Sequence, residues 1–513
     1  MPNSTDRIEA APSMGALRVD LPPPLEKKES NVREQIISDD ERPESKASPF
    51  RVPRYSSPLV QVIIVAFAFF LLPGMFNSLT GIGGSGQIDH TATNDANMAL
   101  YATFSAVGFF AGAIINVLGI KTTLCLGGLG YCVYIAALLC YSHTKNYGFM
   151  VFSGAYLGLS GALLWTAADT IIMSYPPRES KGRYTGCFWM IFSMGAVVGS
   201  FIPLGQNIHV KENKTVSDGT YIGYLISTVL GTALTWTLAD ARKVVREDGS
   251  RIILAKNPSW QTELLWLCKT FRTDTYIVLF FPMFFASNWF YTYIFNDVNG
   301  AEFNTRTRAL NNTLYYVVEV ASAVVIGHCL DRPWVKRTTR ARIMWLFLFS
   351  LTMALWGSSY YLQHGYKREE VTAGKGFTPM DWEDAGYIGH MFLYMSYGLY
   401  DAAWQAFVYW SMGSLTNNAR KLANFAGFYK GIQSAGAAIA WRLDNLGTPY
   451  VNMLVSCWAL LGGSLLIALP VILFKVKNEL EEEEDLFAIN EEAQVAVVSD
   501  HEGKTETDMG EVV

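Results

Sequence analysis

Four ionisable residues stand where an apolar chain is least able to hold a charge. Asp169, Glu319, Asp401 and Lys430 each interrupt a long hydrophobic stretch, and a charge in such a place is costly unless it faces protein or water. A carboxylate there can be neutral when its surroundings are dry and ionised when water arrives, which is what a proton relay needs. Glu319 lies nearest the middle of its stretch. Asp401 and Lys430 differ in depth by only ~5 Å at ~1.5 Å per helical residue, so an ion pair between them is feasible, and they are expected to face one another or a common cavity. Gln405 is one turn from Asp401 and Gln433 about one turn from Lys430, with Trp404, Tyr397 and Tyr409 alongside. Adding Asn288, the polar member of an aromatic run that includes Phe284, Phe285, Trp289 and Phe290, completes the candidate set. That set for substrate or coupling ion is Glu319, Asp401, Gln405, Lys430, Gln433, Asn288 and Trp404. Two readings of Asp401 and Lys430 stay open: a polar, proton-coupled site, or a structural pair locking two helices. Asp169 is expected to pair with Lys181 or Arg183.

The elements that must position these residues are membrane helices. Hydrophobic residues make up 50% of the 513 and charged residues 17%, whereas soluble domains carry about 25% charge. Mean hydropathy is +0.18. Twelve apolar stretches between residues 58 and 474 are long enough to cross the roughly 30 Å hydrocarbon core. The predicted organisation is a disordered tail over 1–50, a six-helix bundle over 51–239, a linker over 240–273, a second bundle over 274–474 and an acidic tail over 475–513. The two tails hold 23 of the 45 acidic residues but only 10 of the 40 basic ones, so the mild net −5 conceals a basic membrane body. Lys and Arg concentrate on the loops that share a side with the two tails, which predicts cytoplasmic termini. The sequons Asn213-Lys-Thr215 and Asn311-Asn-Thr313 then fall on the other side.

Two short segments suggest duplication. Gly112-Ala-Ile-Ile-Asn116 with Lys121, and Gly327-His-Cys-Leu-Asp331-Arg332 with Lys336, share their spacing and lie 215 residues apart. Each closes one apolar stretch and opens the next, as in transporters built from repeated halves. A second segment is Leu72-Pro73-Gly74-Met75-Phe76-Asn77-Ser78-Leu79-Thr80-Gly81-Ile82-Gly83-Gly84-Ser85-Gly86-Gln87. Pro73 should break its helix, and the glycines after it should form a non-helical turn with positive φ. Such backbone must pack on protein or line a cavity. Gly195-Ala-Val-Val-Gly199 is a close-packing signal.

The paired Gly…Lys segments resemble the loop motif between helices two and three, and its copy between eight and nine, of the major facilitator superfamily. The first copy has Asn116 where the second keeps Asp331-Arg332. The Leu72–Gln87 segment, with Tyr175-Pro-Pro-Arg-Glu-Ser-Lys-Gly-Arg-Tyr184, resembles the Unc-ninety-three-like family in its fungal form. The resemblance implies an all-α polytopic membrane protein with twelve transmembrane helices in two pseudo-symmetric six-helix bundles. It marks Gly112, Asn116, Lys121, Gly327, Asp331 and Arg332 as a conformational motif, and Pro73, Gly74, Asn77, Gly81, Gly83 and Gly84 as a structured turn.

Function divides along the same line. The superfamily implies secondary transport of a small solute by alternating access, with a proton as candidate coupling ion. The narrower family implies an accessory factor for another integral membrane protein, as an ion-channel regulator or a receptor chaperone. The seven cysteines and seven histidines show no metal-ligand spacing, and there is no nucleotide loop or nucleophile elbow. Neither an enzyme, a cofactor, a metal site nor a nucleic-acid partner is expected.

Overall fold

The computed structural model describes residues 54–176, 181–244, 272, 275–332, 334–373, 377–416 and 419–478. Both tails and nearly all of the 240–273 linker lie outside these residues, so the expectations for them are not addressed.

The first half runs through α1 (Pro58–Gly81), α2 (Thr91–Leu118), α3 (Ile120–Thr144), α4 (Tyr147–Ser174), α5 (Lys181–Asn207) and α6 (Asp218–Trp236). The second runs through α7 (Tyr276–Gly300), α8 (Thr305–Leu330), α9 (Arg337–Gln363), α10 (Tyr387–Leu415), α11 (Ala419–Asn445) and α12 (Tyr450–Phe474). Among the described residues, eight helices are long and apolar enough to cross a membrane, or nine if the two parts of α2, bent by 74° around Gly108, count as one span. The other three carry their polarity for visible reasons. Threonines and tyrosines line α6, Asp401 interrupts α10, and Lys430, Arg442 and Asp444 interrupt α11.

The duplication appears in the packing. In the first half α1 packs on α5, α2 on α4, and α3 on α4 and α6. In the second, α7 packs on α11, α8 on α10, and α9 on α10 and α12. The cross-contacts repeat too, α2 against α11 and α5 against α8. Glycines fix these pairs at corresponding residues. A Cβ on Gly195 would stand 2.4 Å from the Phe70 carbonyl oxygen, and one on Gly436 would stand 2.1 Å from that of Phe285. Likewise Gly158 abuts the Leu100 oxygen (2.2 Å) and Gly398 that of Tyr315 (2.4 Å). Phe285 follows Phe70, and Tyr315 follows Leu100, by the same 215 residues that separate the two loop motifs. A side chain at any of these glycines would push two helices apart.

Two helices are irregular. Pro73 breaks α1 at Leu72 (φ −105, ψ −88), because a proline nitrogen cannot continue the hydrogen-bond ladder. The last part of α7, Tyr293–Gly300, is π-helical and fully buried. Such widened turns occur mostly at functional sites, and this one carries Asn296, Asp297 and Asn299.

Candidate functional site

The residues singled out in the sequence converge between α7, α10 and α11. Asp401 is buried, and its carboxylate accepts from Tyr315 Oη at 2.7 Å, Tyr291 Oη at 2.9 Å and Gln405 Nε2 at 3.3 Å. Gln405 continues the chain. Its Nε2 also donates to the Ser287 carbonyl at 3.2 Å, and its Oε1 accepts from the Tyr429 hydroxyl and from Gln433 Nε2 at 3.5 Å. Gln433 Nε2 donates to Asn288 Oδ1 at 2.7 Å, and Gln433 Oε1 accepts from Lys430 Nζ at 3.3 Å. Trp404 Nε1 donates to Ser287 Oγ at 2.8 Å. Six of the seven candidates thus form one connected network. Gly398 permits the close approach of α8 and α10 at this level, its would-be Cβ lying 3.3 Å from the Glu319 backbone nitrogen.

The feasible Asp401–Lys430 ion pair is absent from the pairs within 4 Å among the described residues. The two are joined only through Gln405 and Gln433. Lys430 instead faces the rings of Trp165, Tyr429 and Tyr409 at 5.4, 5.4 and 5.7 Å, as cations do on aromatic faces. A depth difference of ~5 Å along the helix axes permits the pair, but two tyrosine hydroxyls reach Asp401 first. Asp169 also departs from expectation. It is exposed, and the opposite charge acting on it is Lys430 rather than Lys181 or Arg183. Glu319 is half-buried beside Asp401, whose charge it feels. Among the described residues its carboxylate makes no hydrogen bond or ion pair. Most of the α7 aromatics are simply core: Phe284, Phe290 and Tyr293 are at most 1% exposed.

At one end of the molecule the halves are sealed by the glycine-rich turn. Gly83, Gly84, Ser85 and Gly86 all have positive φ (87, 52, 49 and 83°). Gly84 N–H donates to Asn296 Oδ1 at 2.8 Å. Arg308 of α8, fully buried, donates from Nε to the Ile82 carbonyl at 3.0 Å and from Nη2 to that of Gly83 at 2.7 Å. Asn312 Nδ2 and Tyr316 Oη hold the Ser78 and Asn77 carbonyls at 2.8 and 2.6 Å. Gly81 and Gly74 lie within helix, tight against Asn312 and Gly195 respectively. From this end, hydrogen bonds between the halves reach as deep as Ser105 Oγ to the Gly431 carbonyl (2.9 Å). Beyond that level the halves meet through rings, Trp189 and Tyr409 at 6.0 Å.

Replacing Gly83 with Ala should lower the melting temperature and the yield of folded protein. The positive φ costs about 1–3 kcal/mol for a residue with a side chain, and the new methyl would stand 2.3 Å from the Phe295 carbonyl oxygen. Thermal unfolding in detergent checks this; an unchanged midpoint would show the turn to be soft.

Sequence reasoning missed most of the charges at this end. Arg368, in the loop helix Arg368–Ala373, pairs with Asp297 Oδ1 at 2.9 Å and Asp444 Oδ1 at 2.5 Å. Arg442 pairs with Asp95 at 3.3 Å. Arg306 grips Asp381 bidentately at 2.7 and 2.5 Å and holds its carboxyl well below the usual carboxylate range. A depressed carboxyl stabilises the fold fully above its ordinary pKa, and that contribution is lost only as pH falls through the lowered value. Asn311 of the second sequon is buried, donating to Asn299 and accepting from Tyr387, so this fold leaves no room for a glycan there.

The comparisons now fix the family. The profile of the Major Facilitator Superfamily matches the chain over residues 11–200 and 59–441. The chain belongs to the Major Facilitator Superfamily. Within it, a UNC93-like protein of Schizosaccharomyces pombe is 48% identical over 85% of this chain and 86% of that one. UNC93-like protein 1 of Arabidopsis thaliana is 37% identical over 86% and 95%. Solved superfamily structures share the fold alone. The nucleoside transporter NupG aligns with a TM-score of 0.53 at 13% identity, over 82% of this chain and 100% of that one. The xylose transporter XylE of E. coli, in a partially occluded inward-open conformation, aligns at 0.54 and 12%, over 81% and 96%. The chain is therefore an integral multi-pass membrane protein of transporter type, and these relatives point away from catalysis.

The superfamily loop motifs lie at the end opposite the glycine-rich turn. In the first, α2 stops at Gly119 (φ 78) and Lys121 Nζ donates to the Leu238 carbonyl at 3.0 Å, tying α3 to the segment after α6. In the second, Asp331 caps α8 through its N–H to the Gly327 carbonyl at 3.0 Å, and Arg332 stacks on Trp334 at 4.8 Å. Arg340 holds the Leu330 carbonyl. A side chain at Gly327 would meet nothing within 4 Å, so its role is not to admit a neighbour.

Proposed function

We propose that this protein is a secondary transporter that moves a small solute by alternating access, with Glu319 carrying a coupling proton. The observation behind this reading is a half-buried carboxylate that makes no hydrogen bond or ion pair among the described residues, beside a saturated network and below the seal at the glycine-rich end. Substrate contacts fall to Asp401, Gln405, Lys430, Gln433, Asn288 and Trp404, and Asp169 joins them by facing Lys430. The halves, 51–239 and 274–474, move against each other about this site. Gly112, Asn116 and Lys121, with Gly327, Asp331 and Arg332, lie at the loops that shift. Both termini are cytoplasmic on the Lys and Arg bias, so the sealed end faces away from the cytoplasm.

The fold neighbours are transporters of nucleosides, sugars and peptides by their names, and this favours transport over the accessory-factor reading. Purified protein in proteoliposomes, with and without an imposed pH gradient, is screened against ions, amino acids, sugars and organic acids. Gradient-dependent uptake is the expected result. Absence of uptake together with a specific co-purifying membrane protein would overturn it.

A further inference from the structure

At the sealed end, two carboxylates share one cation. We infer that the Asp297–Asp444 pair is a proton-binding site, separate from Glu319, which must be loaded for this end to close. Both side chains are 1% exposed, and one atom, Arg368 Nη2, serves Oδ1 of each. Asp444 is otherwise satisfied, its Oδ2 accepting from Asn94 Nδ2 at 2.7 Å and Asn296 Nδ2 at 2.8 Å. Asp297 Oδ2 is not: it is buried with no hydrogen-bond partner.

Arg368 is the one cation bonded to either carboxylate among the described residues, since Arg308, the other buried cation at this end, is turned to the Ile82 and Gly83 carbonyls. His90, packed against Gly84 and Gly300, does not supply the balance, because burial and the Arg308 charge push its imidazole down to about 4. Arg442 is occupied by Asp95, and Glu302 by His390 at 2.5 Å. The remaining titratable groups facing Asp297 are Tyr293, Tyr366, Tyr450 and Cys457, all neutral at ordinary pH. Two buried carboxylates that share one cation repel each other when both are ionised, and a proton on Asp297 removes that repulsion.

The elements involved make this a property of closure. Asn94 comes from α2 in the first half, whereas Asn296, Asp297 and Asp444 come from α7 and α11 in the second. Separating the halves withdraws the Asn94 donor and lets water reach Asp297, which then ionises. Closing drives the water out and requires the proton again. The proton enters and leaves on the sealed side, so it sets how readily that end opens and is not the transported charge.

The inference rests on the alternating-access reading, and the test separates the two. Spin labels at Ile88→Cys and Leu446→Cys, both exposed positions flanking the seal, report the separation of the halves in full-length, otherwise cysteine-free protein in lipid nanodiscs. The ratio of separated to closed molecules should rise with pH, by up to about tenfold per unit for one proton. Asp297→Asn, which mimics the protonated acid, should abolish that slope and hold the end closed. It should also remove a protonated-carboxyl band from the infrared difference spectrum of the protein with its native cysteines. Arg368→Ala should separate the halves at every pH. If Arg368→Ala separates them but Asp297→Asn keeps the wild-type slope or the band, the proton site is wrong and alternating access stands. If neither Arg368→Ala nor high pH separates the halves, both readings fail.

Discussion

Glu319→Gln should end proton-driven accumulation while leaving the protein folded and able to exchange solute across the membrane. A one-unit pH gradient supplies about 1.4 kcal/mol per proton, so a coupled carrier accumulates its solute about tenfold and an uncoupled one not at all. Glutamine keeps the size and polarity of the neutral acid but cannot release a proton. Because no group among the described residues is bonded to this carboxylate, its loss breaks none of their contacts, and the melting temperature should hardly move. Asp401 differs, being fixed by Tyr291, Tyr315 and Gln405. An Asp401→Asn change must turn an amide donor towards hydroxyls that now donate, so it should lower both stability and solute binding. Counterflow and accumulation in the same vesicles separate the cases. Full accumulation by Glu319→Gln would remove this residue from the coupling mechanism.

The sequence was legible wherever one residue alone fixes the local physics. The 215-residue offset of the loop motif reappears in the carbonyls that interhelical glycines touch, Phe70 with Phe285 and Leu100 with Tyr315, because duplicated halves keep the places where two backbones meet. A run of glycines after a proline could only be irregular backbone, and so it is. Charges within apolar stretches had to face protein, and Asp401 and Lys430 do. What the chain does not reveal is azimuth. Two residues at one depth on neighbouring helices can point apart, and donors from a third helix, here Tyr291 and Tyr315, decide which contact forms. The charges at the sealed end escaped for another reason. Apolar stretches stop where hydropathy stops, yet α7 and α11 continue past that point, carrying Asp297 and Asp444. Arg368 returns from a loop with no periodicity to mark it. The π-helical end of α7 that gathers Asn296, Asp297 and Asn299 has no signature in the residues that form it.

Arg308→Met should open the sealed end far more often than in the wild type. The guanidinium belongs to the second half and both carbonyls it serves, Ile82 and Gly83, belong to the first, so these bonds exist only in the closed state. A hydrogen bond from a charged group contributes about 1.5–3 kcal/mol. Losing two shifts the equilibrium by about 3 kcal/mol or more, at least about 100-fold towards separation. Methionine fills much of the same volume without leaving a charge behind, so the helices of each half should still pack. A thiol placed by Ser85→Cys, a near-isosteric change at a residue 1% exposed, then reports opening through its rate of modification by a membrane-impermeant reagent. The native Cys457, fully buried in the second half, is the internal control: general unfolding exposes both thiols, whereas opening of the seal exposes only the first. Arg308→Lys should fall between, since an ammonium is a point charge that cannot span both carbonyls with the rigid fork of arginine. Equal modification rates in wild type and Arg308→Met would mean that Asn312 and Tyr316, acting on the same turn, hold it shut without Arg308.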